Sequence, residues 1–147
     1  MEKLINTQAP EGWSTVSPYL MVDNVEKEMD FLIKVFGAKF REPLTTPDGS
    51  ILHVAGMIYE VGIMIGRHRA GFPPVTSMNY VFAENVDETY ERALSYGAKS
   101  IMKPVDQFYG FRESGVVDPQ GNQWWIAKRI EEVSREEIKR RAEELGK

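Results

Sequence analysis

The chain has 147 residues, about the size of one average domain, and its 42% hydrophobic and 27% charged residues are typical of a folded protein. It contains no cysteine, which excludes disulfides, thiolate ligands and cysteine nucleophiles, and it has two histidines, His53 and His68. The net charge of -4 argues against nucleic-acid or anionic-membrane partners. Without a signal-peptide pattern or a membrane-spanning apolar run, we expect a cytoplasmic protein.

The first predicted elements are a strand over residues 15–22 and a helix that follows it. Apolar residues at positions 25, 29, 32 and 36 fall on one helical stripe. Asp23 or Asn24 is the expected N-cap, and Gly37 is the expected left-handed residue at the helix end. Two strands, residues 51–58 and 61–65, complete this half with a turn between them at Tyr59 and Glu60.

The second half repeats the first at an offset of about sixty residues. A strand over residues 77–83 leads to Asn85 or Asp87 as N-cap, a helix, and Gly97 in the same Gly-Ala-Lys tripeptide that follows the first helix. Strands are predicted at 100–103, 115–117 and 123–127, and the turn Asp118–Asn122 joins the last two. Each half therefore is predicted to be a βαβββ module.

A unit of about sixty residues has only marginal stability by itself, so the two halves are expected to share one core. These elements therefore predict one α+β domain over residues 1–147. Module one takes in about 14–66, a linker 67–76, and module two about 77–127. Residues 131–147 are predicted to form a charged C-terminal helix with Ser134 and Glu137 in a capping-box pattern.

The repeat and its motifs resemble the glyoxalase/bleomycin-resistance/extradiol-dioxygenase group, the vicinal oxygen chelate superfamily, in its PhnB-like branch. The resemblance implies two βαβββ modules that form a half-barrel cup around a small ligand, often with a divalent metal, in a homodimer. Its members include enzymes and proteins that only sequester an antibiotic, so the fold does not fix a reaction. The motifs are Pro10–Trp13, Ser17–Val22, Phe31–Ala38, Asp106–Gly110 with Arg112, and Asp118–Asn122 followed by Trp124.

Metal-using members of this family take a histidine from the first strand of each module and a glutamate from the last. The matching positions here hold Tyr19, Tyr80 and Trp125, and residues 61–66 contain no carboxylate. Phenols and indoles are poor ligands for these metals, so we expect no metal and no other cofactor. The alternative is a relocated divalent metal held by His53, Glu60, Glu113 or Asp118.

His53 is the candidate catalytic residue. It aligns at an offset of 59 with Arg112, and the two are predicted to orient an anionic or carbonyl oxygen, with His53 as general acid or base. The alternative for His53 is a half-buried strand histidine with one hydrogen bond.

Large aromatic residues supply the rest of the predicted site. Trp124 and Trp125 are neighbours on a strand and must point to opposite faces, so one packs under a helix and the other, taken as Trp125, faces the ligand. The turn that carries Phe108 and Tyr109 is predicted to close over the ligand with Gly110 as its flexible point; the alternative is a fixed structural turn. The predicted ligand-binding residues are Tyr19, His53, Tyr80, Phe108, Tyr109, Arg112 and Trp125.

The sequence thus predicts a metal-free small-molecule-binding protein that sequesters or senses an aromatic or carbonyl compound. The alternative is a lyase or isomerase of the glyoxalase type that uses His53 with a relocated divalent metal. Whether the protein catalyses a reaction stays open at this point. A homodimer is expected, with no nucleic-acid or membrane partner.

Overall fold

The structure, a computed structural model, describes residues 9–146. The chain divides into two compact units, Met1–Ser77 and Met78–Lys147. The first eight residues of the predicted polar N-terminus and Lys147, the last residue of the predicted C-terminal helix, lie outside the described residues. No helix within residues 9–146 combines the length and the apolarity that a bilayer crossing needs.

Unit one contains one helix and one mixed sheet. Strand β1 runs parallel to β5, which pairs antiparallel with β4, and β4 carries the two short strands β2 and β3. This order places the first strand beside the last, as a βαβββ unit requires. The elements are β1 (Tyr19–Val22), α1 (Val25–Phe36), β2 (Lys39–Phe40), β3 (Leu44–Thr45), β4 (Ile51–Ile58) and β5 (Val61–Arg67).

Unit two has the same order with a four-stranded sheet. Strand β6 runs parallel to β9, which pairs antiparallel with β8, and β7 lies on the far edge of β8. A third helix follows the sheet. The elements are β6 (Met78–Phe82), α2 (Val86–Ser95), β7 (Lys99–Asp106), β8 (Phe111–Val117), β9 (Gln123–Arg129) and α3 (Arg135–Leu145).

The helix ends follow the predicted capping chemistry. Asn24 and Asn85 each accept a hydrogen bond at 3.0 Å from the backbone N–H three residues on, which satisfies an otherwise unpaired donor at the helix start. Gly37 ends α1 at a φ of 68°, where a residue without Cβ has no steric cost. Ser134 caps α3 in the same way as the two asparagines.

The core of each unit lies on the helix-covered face of its sheet. In unit one, Leu20, Val54 and Ile65 are at most 1% exposed. In unit two, Val116 and Ile126 are fully buried. Side chains alternate between the two faces of a strand, so the residues between these core positions lie on the opposite face of each sheet.

The α+β fold of two βαβββ modules with a C-terminal helix is confirmed. Several element bounds differ from the sequence expectation. Strand β1 begins at Tyr19 rather than at residue 15, and β7 continues to Asp106 rather than ending at residue 103. Strand β5 extends through Arg67, which was assigned to the linker, and β8 begins at Phe111 rather than at residue 115. Helix α3 begins at Arg135 rather than at residue 131, because Ser134 provides the N-cap.

Candidate functional site

The face of the unit-two sheet opposite its helix-covered core carries a group of aromatic side chains around one carboxylate. Tyr80 pairs with Trp125 across β6 and β9, and Trp125 pairs with Gly115 across β9 and β8. Two residues further on, Phe82, Ala127 and Glu113 form the next row on the same side. We call this surface the aromatic face: it comprises Tyr80, Phe82, Tyr109, Phe111, Trp125 and Glu113.

Glu113 is the polar centre of the aromatic face. It is 6% exposed, and its two carboxylate oxygens accept hydrogen bonds from two different phenols. The Tyr80 hydroxyl donates to Oε2 at 2.5 Å, and the Tyr109 hydroxyl donates to Oε1. Ala127 pairs with Phe82 on one side and Glu113 on the other, so the Tyr80 hydroxyl reaches Glu113 diagonally across β9.

The environment of the two phenols keeps them protonated. Burial raises the pKa of Tyr80 well above its ordinary value, and the hydrogen bond to Glu113 and the negative charge of that carboxylate raise it further. The pKa of Tyr109 is raised for the same reasons in the same order. Both tyrosines are therefore neutral hydrogen-bond donors at physiological pH.

The rings contact one another edge to face around this carboxylate. The ring centroids of Tyr80 and Phe82 are 5.4 Å apart, those of Phe82 and Phe111 are 6.0 Å apart, and those of Phe111 and Tyr109 are 5.9 Å apart. Such tilted and T-shaped pairs are the favoured geometries between aromatic quadrupoles. Much of this surface is exposed: Tyr80 is 47% and Phe82 is 59% accessible.

Trp125 lies flat beside this group because its neighbour on β8 has no side chain. A Cβ placed on Gly115 would be 2.8 Å from the nearest atom of the Trp125 indole. The indole Nε1 donates to the Gln123 side-chain oxygen at 3.1 Å, which fixes the orientation of the ring. Of the two neighbouring tryptophans, Trp124 is the one that packs in the core, at 2% exposed.

The turn that carries Phe108 and Tyr109 is held from behind. The Gly110 carbonyl accepts hydrogen bonds from the backbone N–H groups of Ile130 and Glu131, and a Cβ on Gly110 would clash with the Glu131 carbonyl oxygen. Arg141 of α3 donates to the Phe108 carbonyl at 2.9 Å while its other nitrogens bind Glu131 and Glu137. These contacts favour the alternative of a fixed turn over a flexible point at Gly110.

A second fixed turn, Asp118–Asn122, sets the start of β9. The Asp118 carboxylate accepts from the backbone N–H groups of Gln120 at 2.8 Å and Asn122 at 3.0 Å, and from the Trp124 indole at 2.8 Å. Asp118 is 4% exposed, so these bonds satisfy a buried charge. Because Trp124 is fixed in the core by this turn, Trp125 is fixed on the opposite face.

Unit one presents a similar but simpler face. Tyr19 leans over Gly66, where a Cβ would lie 2.8 Å from the Tyr19 hydroxyl, and its ring centroid is 5.7 Å from that of His53. Met64 pairs with Tyr19 across β1 and β5 and lines a cleft of about 530 Å³ together with Trp13. The structure thus brings the predicted residues Tyr19 and His53 together within this unit.

The strand pairings show that the unit-two residue equivalent to His53 is not the one expected from the sequence. His53 pairs with Gly66, and Glu113 pairs with Ala127, which is sixty-one residues after Gly66. The counterpart of His53 is therefore Glu113 at an offset of sixty, and the alignment of His53 with Arg112 is wrong by one residue. A one-residue shift in a strand moves a side chain to the other face of the sheet.

Arg112 accordingly lies on the helix side of the unit-two sheet, away from the aromatic face. Its Nε and Nη2 bind the two oxygens of Asp87 in α2 at 2.7 and 2.8 Å, and its Nη1 binds Asp106 at 2.8 Å. The bidentate pair holds the pKa of the Asp87 carboxyl below its usual range. Arg112 thus ties α2, β7 and β8 together, and it does not join Tyr80 and Trp125.

The donors at the family's metal positions do not fit a divalent ion. Tyr80 is a neutral phenol that donates to Glu113, and Trp125 offers only an indole. Of the relocated set, Glu113 and Asp118 already use both carboxylate oxygens within unit two. Within residues 9–146, no group of three or more histidine, aspartate or glutamate side chains is placed to hold a metal ion.

Sequence reasoning missed the central role of Glu113 and the contributions of Phe82 and Phe111. It considered Glu113 only as one member of a relocated metal set. The signal that would have found it is the repeat itself: at the offset of sixty seen for Gly37 and Gly97, His53 matches Glu113. Tyr80 likewise matches Tyr19. Both modules therefore combine a tyrosine on the first strand with a polar residue on the strand before the last.

The chain belongs to the Glyoxalase/Bleomycin resistance protein/Dioxygenase superfamily, whose family model matches residues 14–126. A curated relative, the uncharacterized protein Rv0887c of Mycobacterium tuberculosis, is 30% identical over 146 aligned positions, covering 90% of this chain and 85% of the relative. An uncharacterized protein of Mycobacterium bovis, Mb0911c, is 31% identical and covers 84% of this chain and 88% of the relative.

Solved structures of low sequence identity share the fold. TioX from Micromonospora sp. ML1 has a TM-score of 0.67 at 22% identity, over 80% of this chain and 99% of that one. The fosfomycin resistance protein FosX from Listeria monocytogenes has a TM-score of 0.57 at 20% identity, over 85% of this chain and 97% of that one. At these identities the likeness establishes the fold and not the ligand.

Proposed function

We propose that this protein binds a flat aromatic or carbonyl small molecule without a metal ion, and that it sequesters or senses that compound. The observation that carries the proposal is the aromatic face, on which Tyr80, Phe82 and Trp125 surround a carboxylate already bonded to two neutral phenols. That arrangement supplies ring surface and hydrogen-bonding groups, which are what a small-molecule site needs.

The exposed ring surface gives the energetic reason for binding. Tyr80 and Phe82 each leave about half of their surface accessible, and covering apolar surface is worth roughly 25 cal/mol per Å². An aromatic partner gains a further ~0.5 to 1.5 kcal/mol from stacking geometry. The turn at Phe108 and Tyr109 is already fixed by Arg141, so little conformational freedom is lost when a ligand binds.

Unit one offers its own ligand face in this proposal. Tyr19 is 44% exposed, and the ring of His53 lies beside it on a surface that also carries Met64. We assign His53 a role in ligand contact, and His53 as general acid or base remains a prediction from the sequence.

We also propose that the protein is a homodimer in the cytoplasm, with a small molecule rather than a nucleic acid or a membrane as its partner. The strongly exposed Met78 on β6, at 70% and outside the aromatic face, supports an interface at this end of the sheet. The absence of cysteine from the sequence suits a reducing compartment, and the net charge of -4 suits neither nucleic acid nor an anionic membrane.

Intrinsic tryptophan fluorescence tests the binding proposal. Titration with a panel of aromatic antibiotics and dicarbonyl adducts should give saturable quenching for at least one compound. W125F should remove most of the signal, and Y80A should weaken binding about tenfold. W13F is the matched control, because Trp13 packs on Gly62 of unit one and its loss should leave the affinity of the aromatic face unchanged.

Two results would overturn the proposal. One is a complete panel without saturable quenching, or quenching that Y80A and W125F leave intact. The other is stoichiometric zinc, nickel, manganese or iron in protein purified without chelator, lost in H53A, which would show that the metal-dependent alternative is correct.

A further inference from the structure

The carboxylate of Glu113 is a buried negative charge beneath an exposed group of rings. Its side chain is 6% exposed, whereas the Tyr80 ring that donates to it is 47% exposed. A buried ion is costly unless it is paired, and in proteins the usual partner is a cation. Here both oxygens are bonded, but the two donors are neutral phenols.

Within the described part of the chain, no cationic side chain neutralises this carboxylate. Arg112, its direct neighbour in sequence, points to the other face and is bound by Asp87 and Asp106. Lys128, opposite Arg112 on β9, donates to the Glu84 carbonyl at 2.9 Å. The aromatic face therefore carries an uncompensated charge of -1 at its centre.

The hydrogen bonds from Tyr80 and Tyr109 to Glu113 shift part of its negative charge onto the two phenol rings. A phenol that donates to a carboxylate is polarised toward phenolate, which makes the face of its ring more electron-rich. An electron-rich ring attracts a cation above its face more strongly, and the attraction is largest where water is excluded. Tyr80 and Tyr109 both have this polarisation, and Phe82, Phe111 and Trp125 extend the ring surface around them.

We propose that the aromatic face selects an organic cation: a flat heteroaromatic ring that carries a quaternary or protonated nitrogen, seated over the Tyr80 ring with Glu113 as its counter-charge. This inference rests on the proposed function, since it names the ligand class of the same site. It also predicts that a neutral aromatic of the same shape binds more weakly.

A matched pair of probes tests the charge preference separately from ring binding. N-Methylquinolinium is a permanent cation, and quinoline is a neutral ring of similar shape at mildly alkaline pH. Isothermal titration calorimetry of the full chain should give an affinity at least tenfold higher for the cation. E113Q keeps the size of the side chain and removes its charge, so it should reduce the ratio of the two affinities to within about threefold.

E91Q is the control variant for net charge, because Glu91 lies exposed on α2 in the same unit. It should keep the full preference for the cation. Y80F, which retains the ring but removes one hydrogen bond to Glu113, should lower the ratio of cation affinity to quinoline affinity by about threefold. Near-UV circular dichroism of each variant establishes that the aromatic side chains are still packed.

The outcomes separate the two proposals. If quinoline binds as tightly as N-methylquinolinium, or if E91Q lowers the preference as much as E113Q does, the cation assignment is overturned while ring binding stands. If the folded wild-type chain binds neither probe nor any member of the fluorescence panel, the proposed function fails together with it. If E113Q does not fold, the Y80F result decides, and a full cation preference in Y80F contradicts the inference.

Discussion

The two units have the same backbone plan but different side-chain chemistry on corresponding faces. In both, a tyrosine on the first strand reaches across the last strand toward a polar residue of the strand before it. Tyr19 lies over Gly66 beside His53, and Tyr80 crosses β9 to bond Glu113. Only in unit two does the tyrosine donate to a buried carboxylate. The difference shows that two modules can share a backbone geometry while one residue of each, His53 or Glu113, changes the chemistry of the face.

The turns that precede the last strand of each unit also differ. In unit one, β4 and β5 are joined by Tyr59 and Glu60, with Tyr59 at a φ of 52° and no buried side chain in the turn. In unit two, the corresponding turn is organised by the buried carboxylate of Asp118 and fixes both tryptophans. Unit two is thus the more rigidly supported of the two faces, and this contrast gives three tests.

The largest effect is expected from the turns. D118A removes the acceptor of two backbone N–H groups and of the Trp124 indole, and should lower the free energy of unfolding by about 3 to 5 kcal/mol. Y59G in unit one should change it by less than about 1 kcal/mol, because it relieves a left-handed backbone while making the unfolded chain more flexible. Urea denaturation measures both, and equal losses would contradict the contrast between the turns.

A smaller effect is expected from the glycines beneath the rings. G115A places a methyl group 2.8 Å from the rigid Trp125 indole and should cost about 1 to 3 kcal/mol in unfolding free energy, with a change in tryptophan fluorescence. G66A meets first the hydroxyl end of Tyr19, a partly exposed side chain that can swing aside, and should cost less than about 1 kcal/mol. A larger loss in G66A than in G115A would show that unit one has the tighter face.

The smallest effect concerns proton binding by the phenols. In the wild type, two of the six tyrosines should resist ionisation as the pH rises, and E113Q should bring their pKa back toward the ordinary value of about 10. Because the folded-state pKa of each is raised, their contribution to stability is fully present below pH ~10 and is lost as the pH rises above it. Phenolate absorbance measures the titration, and an unchanged curve in E113Q would show that burial alone, without Glu113, raises the pKa of the two phenols.

Much of the fold was predictable from local sequence signals. The spacing of apolar residues located α1 and α2, the asparagines before them are caps in the structure, and the Asp118–Asn122 turn forms as expected. These features depend on short-range chemistry, in which a side chain bonds to backbone a few residues away. Short-range sequence signals were therefore enough to predict the order of the helices and strands along the chain.

The centre of the aromatic face was harder to predict because the sequence of β8 does not alternate between apolar and polar residues. Phe111, Glu113 and Gly115 share one side of the strand, but one is apolar, one is charged and one has no side chain. A pattern of alternating hydrophobicity therefore begins only near residue 115, and the expected strand was too short by four residues. The hydrogen bond from Tyr80 to Glu113 joins residues 33 positions apart, a separation that no local sequence pattern reveals.

The anchored turn at Gly110 bears on how fast a ligand reaches its site. Its carbonyl is bonded by Ile130 and Glu131, and Arg141 holds the neighbouring Phe108 carbonyl, so Tyr109 occupies its position before any ligand arrives. No segment has to close behind the ligand for the Tyr109–Glu113 bond to form. For the ligand proposed above, we therefore expect diffusion and orientation to limit the association rate. The contacts with the rings and the carboxylate would then set the dissociation rate.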